Sequence, residues 1–313
     1  MSTDLQDTAK EAIEFLRKVR EDNPRNVTSV FFVEKRSSEK FDSYRPQISA
    51  ELQDKILELV LPNTIQSLGL PVVQYNPIGA ADGENELQIP SQVPCVETFL
   101  NSIEESDLFV DMNGIRVPKI NFYCIKISYN GQMIYLFRQF TKMNRLRKGI
   151  LGQLVSNELQ EIVSDFLGID EYVDVVLFNE ALLILNHISM ERIFNYKDKF
   201  IETTRTAIGA IVTQGVMIGV ERFYEDCLRD IRIMKRLTNL MSQERLPLFF
   251  DNFDNVPRIV EALGLDIEFD DGKMIYRDRS QLFHIVNLMS DSLPCCTPRL
   301  FHSSVSSLRA LID

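Results

Sequence analysis

The sequence predicts an α+β protein, with an antiparallel sheet rich in hairpins in its first half and a mainly helical second half that carries one small β-hairpin. Three observations point there. Two apolar, β-branched and aromatic runs, 120–129 and 132–140, flank Asn130-Gly131, a dipeptide that tolerates the positive φ of a tight hairpin turn. Shorter runs at 173–178 and 181–185 flank Asn179-Glu180 in the same way. Beyond His187 the character changes, and the chain looks largely helical.

Taken in order, Leu5, Ala9, Ala12, Ile13, Leu16 and Val19 repeat at helical spacing, and Asn23-Pro24 closes that helix. Residues 29–33 read as a strand. Residues 50–68 read as a helix that Pro62 breaks or kinks. Residues 75–94 hold Asn76-Pro77, Gly79, Asp82-Gly83, Pro90 and Pro94, and read as the most loop-like part of the chain. Between the hairpins, residues 155–167 read as a helix stopped by Gly168. Residues 190–196 and 200–240 are expected to be largely helical. A short helix over 256–263, strands at 265–269 and 273–277 around Asp271-Gly272, and a helix over 280–289 follow. A boundary near residue 187 divides the chain into an α+β domain, 1–187, and a helical domain with the small hairpin, 188–313.

Composition narrows the class. The chain has 313 residues, of which 45% are hydrophobic and 25% charged, with 20 Phe, 9 Tyr and no Trp. Those proportions suit a globular fold and exclude a disordered or fibrous one. The longest nearly apolar stretch, 207–220, contains Thr213 and Gln214 and falls short of the ~20 apolar residues a membrane span needs. It reads as a buried helix in which Gly215 and Gly219 share a face that allows close packing. Cys95, Cys124, Cys227, Cys295 and Cys296 form no CxxC and no even framework. Together with an N-terminus that has no apolar signal segment, they point to the cytoplasm.

Enzyme signatures are missing: no GxGxxG, P-loop, GxSxG or HExxH. His187, His284 and His302 have no ligand-spaced partners, so no metal and no cofactor is expected, and His187 reads as a hydrogen-bonded structural residue. Acids cluster at Asp170, Glu171, Asp174 and Glu180, and again at Asp266, Glu268, Asp270 and Asp271. No strand carries a carboxylate–x–Lys pair among them, so both groups read as solvated edges and turns.

Charge is distributed unevenly. The net charge of −11 excludes a uniformly basic nucleic-acid binder. Yet residues 138–150 hold Arg138, Lys142, Arg145, Arg147 and Lys148 without one acid, and the segments 1–137 and 151–196 on either side each sum to −7. Such a cationic island neutralises phosphates and releases counterions, a sequence-independent and salt-sensitive affinity. It equally suits an intramolecular clamp onto the acidic stretch that follows. A second candidate is a helix over 222–241, where Arg222, Arg229, Arg232 and Arg236 fall on one face.

The run DVVLFNEALLILNHISMERIFNY, residues 174–196, resembles the central segment of the KwaB-like proteins of bacterial Kiwa anti-phage defence. In those proteins a strand pair leads into a helix with a MERIFNY-type motif. The resemblance implies a DNA-binding effector that works with a small membrane protein, KwaA, at the inner membrane; with no catalytic motif in the sequence, it is not expected to be an enzyme. The partner would sense infection, and this subunit would bind phage DNA and block its replication and transcription. The resemblance supplies no catalytic residue. The residues nominated for DNA binding are therefore those of the charge count: Arg138, Lys142, Arg145, Arg147 and Lys148, with Arg229, Arg232 and Arg236 as a weaker contribution. A homodimer or higher homo-oligomer is expected, since doubling a small patch raises effective affinity. Two other classes remain open, a metal-dependent nuclease and an adaptor docking a membrane partner.

Overall fold

The structure is a computed structural model that describes residues 2–25, 27–37, 40–105, 119–140, 152–155, 158–161 and 167–291. The chain forms two units. One is built from residues up to Tyr75 and from Gly79–Tyr196, the other from Asn76–Ile78 and residues from Lys197 onward.

The first unit is a sheet covered on both faces. Its elements are α1 (Ser2–Asp22), β1 (Thr28–Ser37), β2 (Lys40–Tyr44), α2 (Ala50–Leu68), β3 (Val72–Gln74), β4 (Asn85–Gln88), α3 (Val96–Glu105), β5 (Ile120–Tyr129), β6 (Gln132–Gln139), β7 (Gly152–Val155), β8 (Glu158–Glu161), β9 (Val175–Phe178), β10 (Ala181–Ile184) and α4 (His187–Ile193). Eight strands pair in the order β2-β1-β5-β6-β9-β10-β4-β3. Every pair is antiparallel except β3–β4 at one edge.

Both expected hairpins are present. Asn130 and Gly131 take φ of 50° and 76°, the doubly left-handed turn that matches strand twist. Across it Tyr129 pairs with Gln132. Phe178 pairs with Ala181, and Asn179 takes a φ of 52°.

Alternation along the strands sends one set of side chains to each face. Val30, Phe32, Tyr123, Ile125, Ile134, Leu136, Val176 and Leu183 join Ala12, Leu16, Val60 and Leu61 of α1 and α2 in one core. On the opposite face an aromatic group forms. Phe137 lies 5.1 Å from Phe99 of α3 and 5.3 Å from Phe194 just beyond α4, measured between ring centroids.

Three local expectations give way to tertiary context. Helix α2 runs unbroken through Pro62. The carbonyl of Glu58 loses its partner there, but Glu58 and Pro62 are exposed, while Ile56, Leu57, Val60 and Leu61 bury the other side. Loop-like residues 75–94 contain β4, which lies inside the sheet between β10 and β3. Val155 and residues 158–161, expected to lie in a helix over 155–167, belong instead to the antiparallel strands β7 and β8, with Val155 opposite Glu158.

The second unit contains α5 (Tyr196–Gln214) from Lys197 onward, then β11 (Met217–Ile218), α6 (Val220–Leu228), α7 (Ile231–Ser242), α8 (Arg245–Asp251), α9 (Val256–Leu263), β12 (Glu268–Asp270), β13 (Lys273–Ile275) and α10 (Leu282–Asp291). Its core gathers Ile211, Phe223, Leu237, Phe249, Val260, Met274 and Ile285. The small hairpin is present, and β11 adds to it in parallel.

Residues 207–220 are not one buried helix. Helix α5 stops at Gln214, Gly215 turns left-handed at φ 63°, β11 follows, and Gly219 at φ 86° starts α6. The two glycines are turn residues, and Val212 stays exposed. The helix expected over 222–241 is also two helices, α6 and α7, because Asp230 accepts a hydrogen bond from Arg232 N and caps a new start. Among the described residues, no helix is long and apolar enough to cross a membrane.

Candidate nucleic-acid interface

Of the nominated cations, Lys142, Arg145, Arg147 and Lys148 lie outside the described residues, while Arg138, Arg229, Arg232 and Arg236 lie within them. All of the latter have protein partners.

Arg138 sits near the end of β6, opposite Tyr123 of β5, and continues the interior-facing series Ile134, Leu136. A cation there needs compensation, and two carboxylates supply it. Nη2 and Nε donate to Asp170 at 2.9 and 3.0 Å, and Nη1 donates to Asp174 at 2.9 Å. The fork of the guanidinium suits this two-sided grip. Asp174 also accepts from the backbone N–H of Gln139 at 2.7 Å, and the Tyr123 hydroxyl donates to Asp170 at 3.3 Å.

The Arg138 side chain is 14% exposed and that of Asp174 only 1%. Burial would lower the arginine's pKa, but its bonds to Asp170 and Asp174 outweigh that and hold it above the ordinary value. Burial raises the Asp174 pKa, offset in part by Gln139 N–H and Arg138. Removing one partner of such a pair costs about 3–5 kcal/mol, because the other charge is left buried. Arg138 is therefore held in place.

The expectation that Asp170 and Asp174 are solvated turn residues is corrected for Asp174, which is buried, and for Asp170, which is bonded. The readable signal was an arginine in an otherwise interior strand position, with two acids just before the neighbouring strand. The acids of the small hairpin are exposed as expected, and Glu268 pairs with Arg277.

In the second unit Arg229 ends α6 and pairs with Asp226 and Glu225 at 3.3 and 3.6 Å. Arg232 on α7 grips Asp230 at 3.0 Å. These arginines are 63% and 82% exposed. Exposed pairs contribute about 0–1 kcal/mol, so either arginine can leave its partner at little cost. Arg236 differs, because its Nη1 donates to Asn287 at 2.8 Å and its guanidinium stacks 4.5 Å over the Phe283 ring. The arginines expected on one helical face, Arg222, Arg229, Arg232 and Arg236, are divided between two helices, α6 and α7, by the break at Asp230.

One polar cluster carries chemistry that charge counting did not address. His187, the first residue of α4, meets Glu86 of β4 through Nδ1 at 2.6 Å and Glu191 through Nε2 at 2.8 Å. Its ring stacks on Tyr75 at 5.5 Å. With both nitrogens committed to carboxylates, the imidazole is a structural tie, as its sequence position suggested. Among the described residues, no group of three or more His, Cys, Asp or Glu side chains is arranged to hold a metal ion.

Comparison with known proteins yields one match. No curated protein and no solved structure matches the chain. A profile of the KwaB family, described as Kiwa protein KwaB-like, matches residues 117–294. That span covers more than half of the chain and runs from β5 to beyond α10. The chain accordingly belongs to the KwaB-like family of Kiwa anti-phage defence.

Proposed function

We propose that this protein is a DNA-binding effector of Kiwa defence that acts by obstruction. Lys142, Arg145, Arg147 and Lys148 bind duplex phosphates without reading sequence, and Arg229 and Arg232 contribute more weakly. Bound protein blocks polymerases on invading phage DNA and cuts nothing. The acidic remainder of the surface repels DNA elsewhere and restricts binding to one pose. The effector works as a cytoplasmic homodimer with the membrane subunit KwaA, which signals infection.

One observation carries this reading: a run of cations with no acid, set between two segments that each sum to −7. The pairing found elsewhere sharpens it, since Arg138 and Arg236 are held by internal partners while Arg229 and Arg232 have only exposed ones.

A gel-shift titration of duplex DNA at rising salt tests it. The logarithm of affinity should fall with the logarithm of salt by about 0.9 per phosphate neutralised. Reversing the charge of Lys142, Arg145, Arg147 and Lys148 together should remove most of the binding. Unchanged affinity would refute the patch.

A further inference from the structure

The second unit brings to the start of α7 a cation that the charge count along the sequence did not single out. Arg279 follows the small hairpin, and the fold returns it to Asp230 across a separation of 49 residues. Its Nη2 reaches Asp230 Oδ2 at 3.4 Å, and Arg232 Nη2 reaches the same oxygen at 3.0 Å. Two guanidiniums thus share one carboxylate, and one positive charge is left uncompensated. Exposure is graded between them. The Asp230 side chain is 15% exposed, against 57% for Arg279 and 82% for Arg232. The carboxylate lies underneath, and the cations face the solvent.

Asp230 is fixed by a second task, since its Oδ1 accepts the Arg232 N–H at 3.0 Å as the cap of α7. Arg232 commits one edge of its fork, Nε and Nη2, to Asp230, and Arg279 commits only Nη2. A guanidinium carries five N–H donors, so most of those on the two arginines remain without a partner among the described residues. Arg277, two residues before Arg279, differs, because it is paired with Glu268.

We propose that Arg232 and Arg279 form a two-arginine clamp for one backbone phosphate of duplex DNA, with Asp230 beneath them as their shared counter-charge. The proposal rests on the DNA-binding reading above and adds to it a contact formed by the second unit alone. Its physical ground is the match between the guanidinium fork and phosphate oxygens. Ion pairs this exposed are weak, so both side chains can turn their open edges to a phosphate. The fold brings the two cations together before any ligand arrives, so their convergence is not a cost of binding.

The experiment uses the full chain as wild type, Arg279→Ala, Arg232→Ala, the double variant and Arg277→Ala. The last removes the same charge two residues away and controls for long-range attraction. Duplex affinity is measured across salt, with a thermal melt of each protein. Both clamp side chains are exposed, so Arg279→Ala should melt close to the wild type. Each clamp variant should weaken binding several-fold, and Arg277→Ala should do so much less. The double variant should show a salt slope shallower by about 0.9, the mark of one lost phosphate contact, rather than twice that.

The clamp is overturned if Arg279→Ala binds like the wild type, or if Arg277→Ala weakens binding as much as Arg279→Ala. A double variant that loses twice the slope would make the arginines two separate contacts and would equally sink it. Should the wild type bind no duplex, the DNA-binding reading and the clamp both fall. If reversing the charge of Lys142, Arg145, Arg147 and Lys148 removes most of the binding while Arg279→Ala leaves it whole, the clamp alone falls.

Discussion

Glu86 and His187 meet at 2.6 Å across a sequence separation of 101 residues, joining an inner strand of the sheet to the first turn of α4. Glu191, one helical turn along α4, takes the other imidazole nitrogen. Burial lowers the histidine's pKa, but hydrogen bonds to Glu191 and Glu86 overcome it and raise the value from 6.5 to about 9. The group facing this cluster from the preceding segment is Tyr75, and that from α5 is Tyr196. Both hydroxyls are held neutral by burial and the nearby carboxylates.

A raised histidine pKa means the folded state binds the proton more tightly. Its contribution is complete below pH 6.5 and disappears as pH rises through about 9. The shift corresponds to about 3 kcal/mol at most. Wild-type stability in urea should therefore fall between pH 7 and pH 9.5, and His187→Gln should be less stable at pH 6 and nearly flat across that window. A parallel decline in both proteins would show that the imidazolium contributes nothing.

Gly219 faces a harder constraint than the other turn glycines. Its φ is 86°, and a Cβ would lie 2.5 Å from the Tyr276 carbonyl oxygen. Gly264, at φ 64°, has open space around the same position. Gly264→Ala should cost about 1 kcal/mol from backbone conformation alone. Gly219→Ala should cost more, at least about 2 kcal/mol, because the Tyr276 backbone just after β13 must also shift. Equal midpoints in denaturant for the two variants would contradict this ranking.

Asp230 caps α7 and also holds Arg232 and, at 3.4 Å, Arg279. Its hydrogen bonds with Arg232 lower its pKa despite partial burial. Asp230→Ala should destabilise by about 1 kcal/mol through loss of the cap, while Asp230→Asn, which can still cap, should lose less. Both remove a negative charge beside Arg232, so DNA affinity at low salt should rise or hold. A fall in affinity without unfolding would argue against any DNA contact near α7.

Phe137 is the hub of the aromatic face, fully buried between Phe99, Phe122 and Phe194. Phe137→Ala should destabilise by about 3–5 kcal/mol, a cavity cost that a thermal melt would register. Met133, on the same strand but 48% exposed, should tolerate alanine within about 0.5 kcal/mol.

Local chemistry was enough to read some of this molecule. Asn130-Gly131 dictates a hairpin because few other dipeptides accept two left-handed residues. Val256–Leu263 reads as a helix because its apolar period ends at Gly264, which takes the left-handed cap. The two strand runs either side of Asn130-Gly131, and the histidine lodged between a strand and a helix, were equally plain. The cationic island was visible as well, since formal charge needs no coordinates.

Tertiary structure decided the rest, because those outcomes depend on residues distant in sequence. Asp174 looks like one more turn acid until Arg138 arrives from the adjacent strand and makes its burial affordable. Residues 85–88 resemble loop until β10 offers them a ladder. Pro62 ends an isolated helix, yet α2 continues because its apolar side is already pinned to the sheet. The arginines make the same point: sequence assigns all of them the same charge, and only the fold determines which are sealed against carboxylates and which remain exchangeable at the surface.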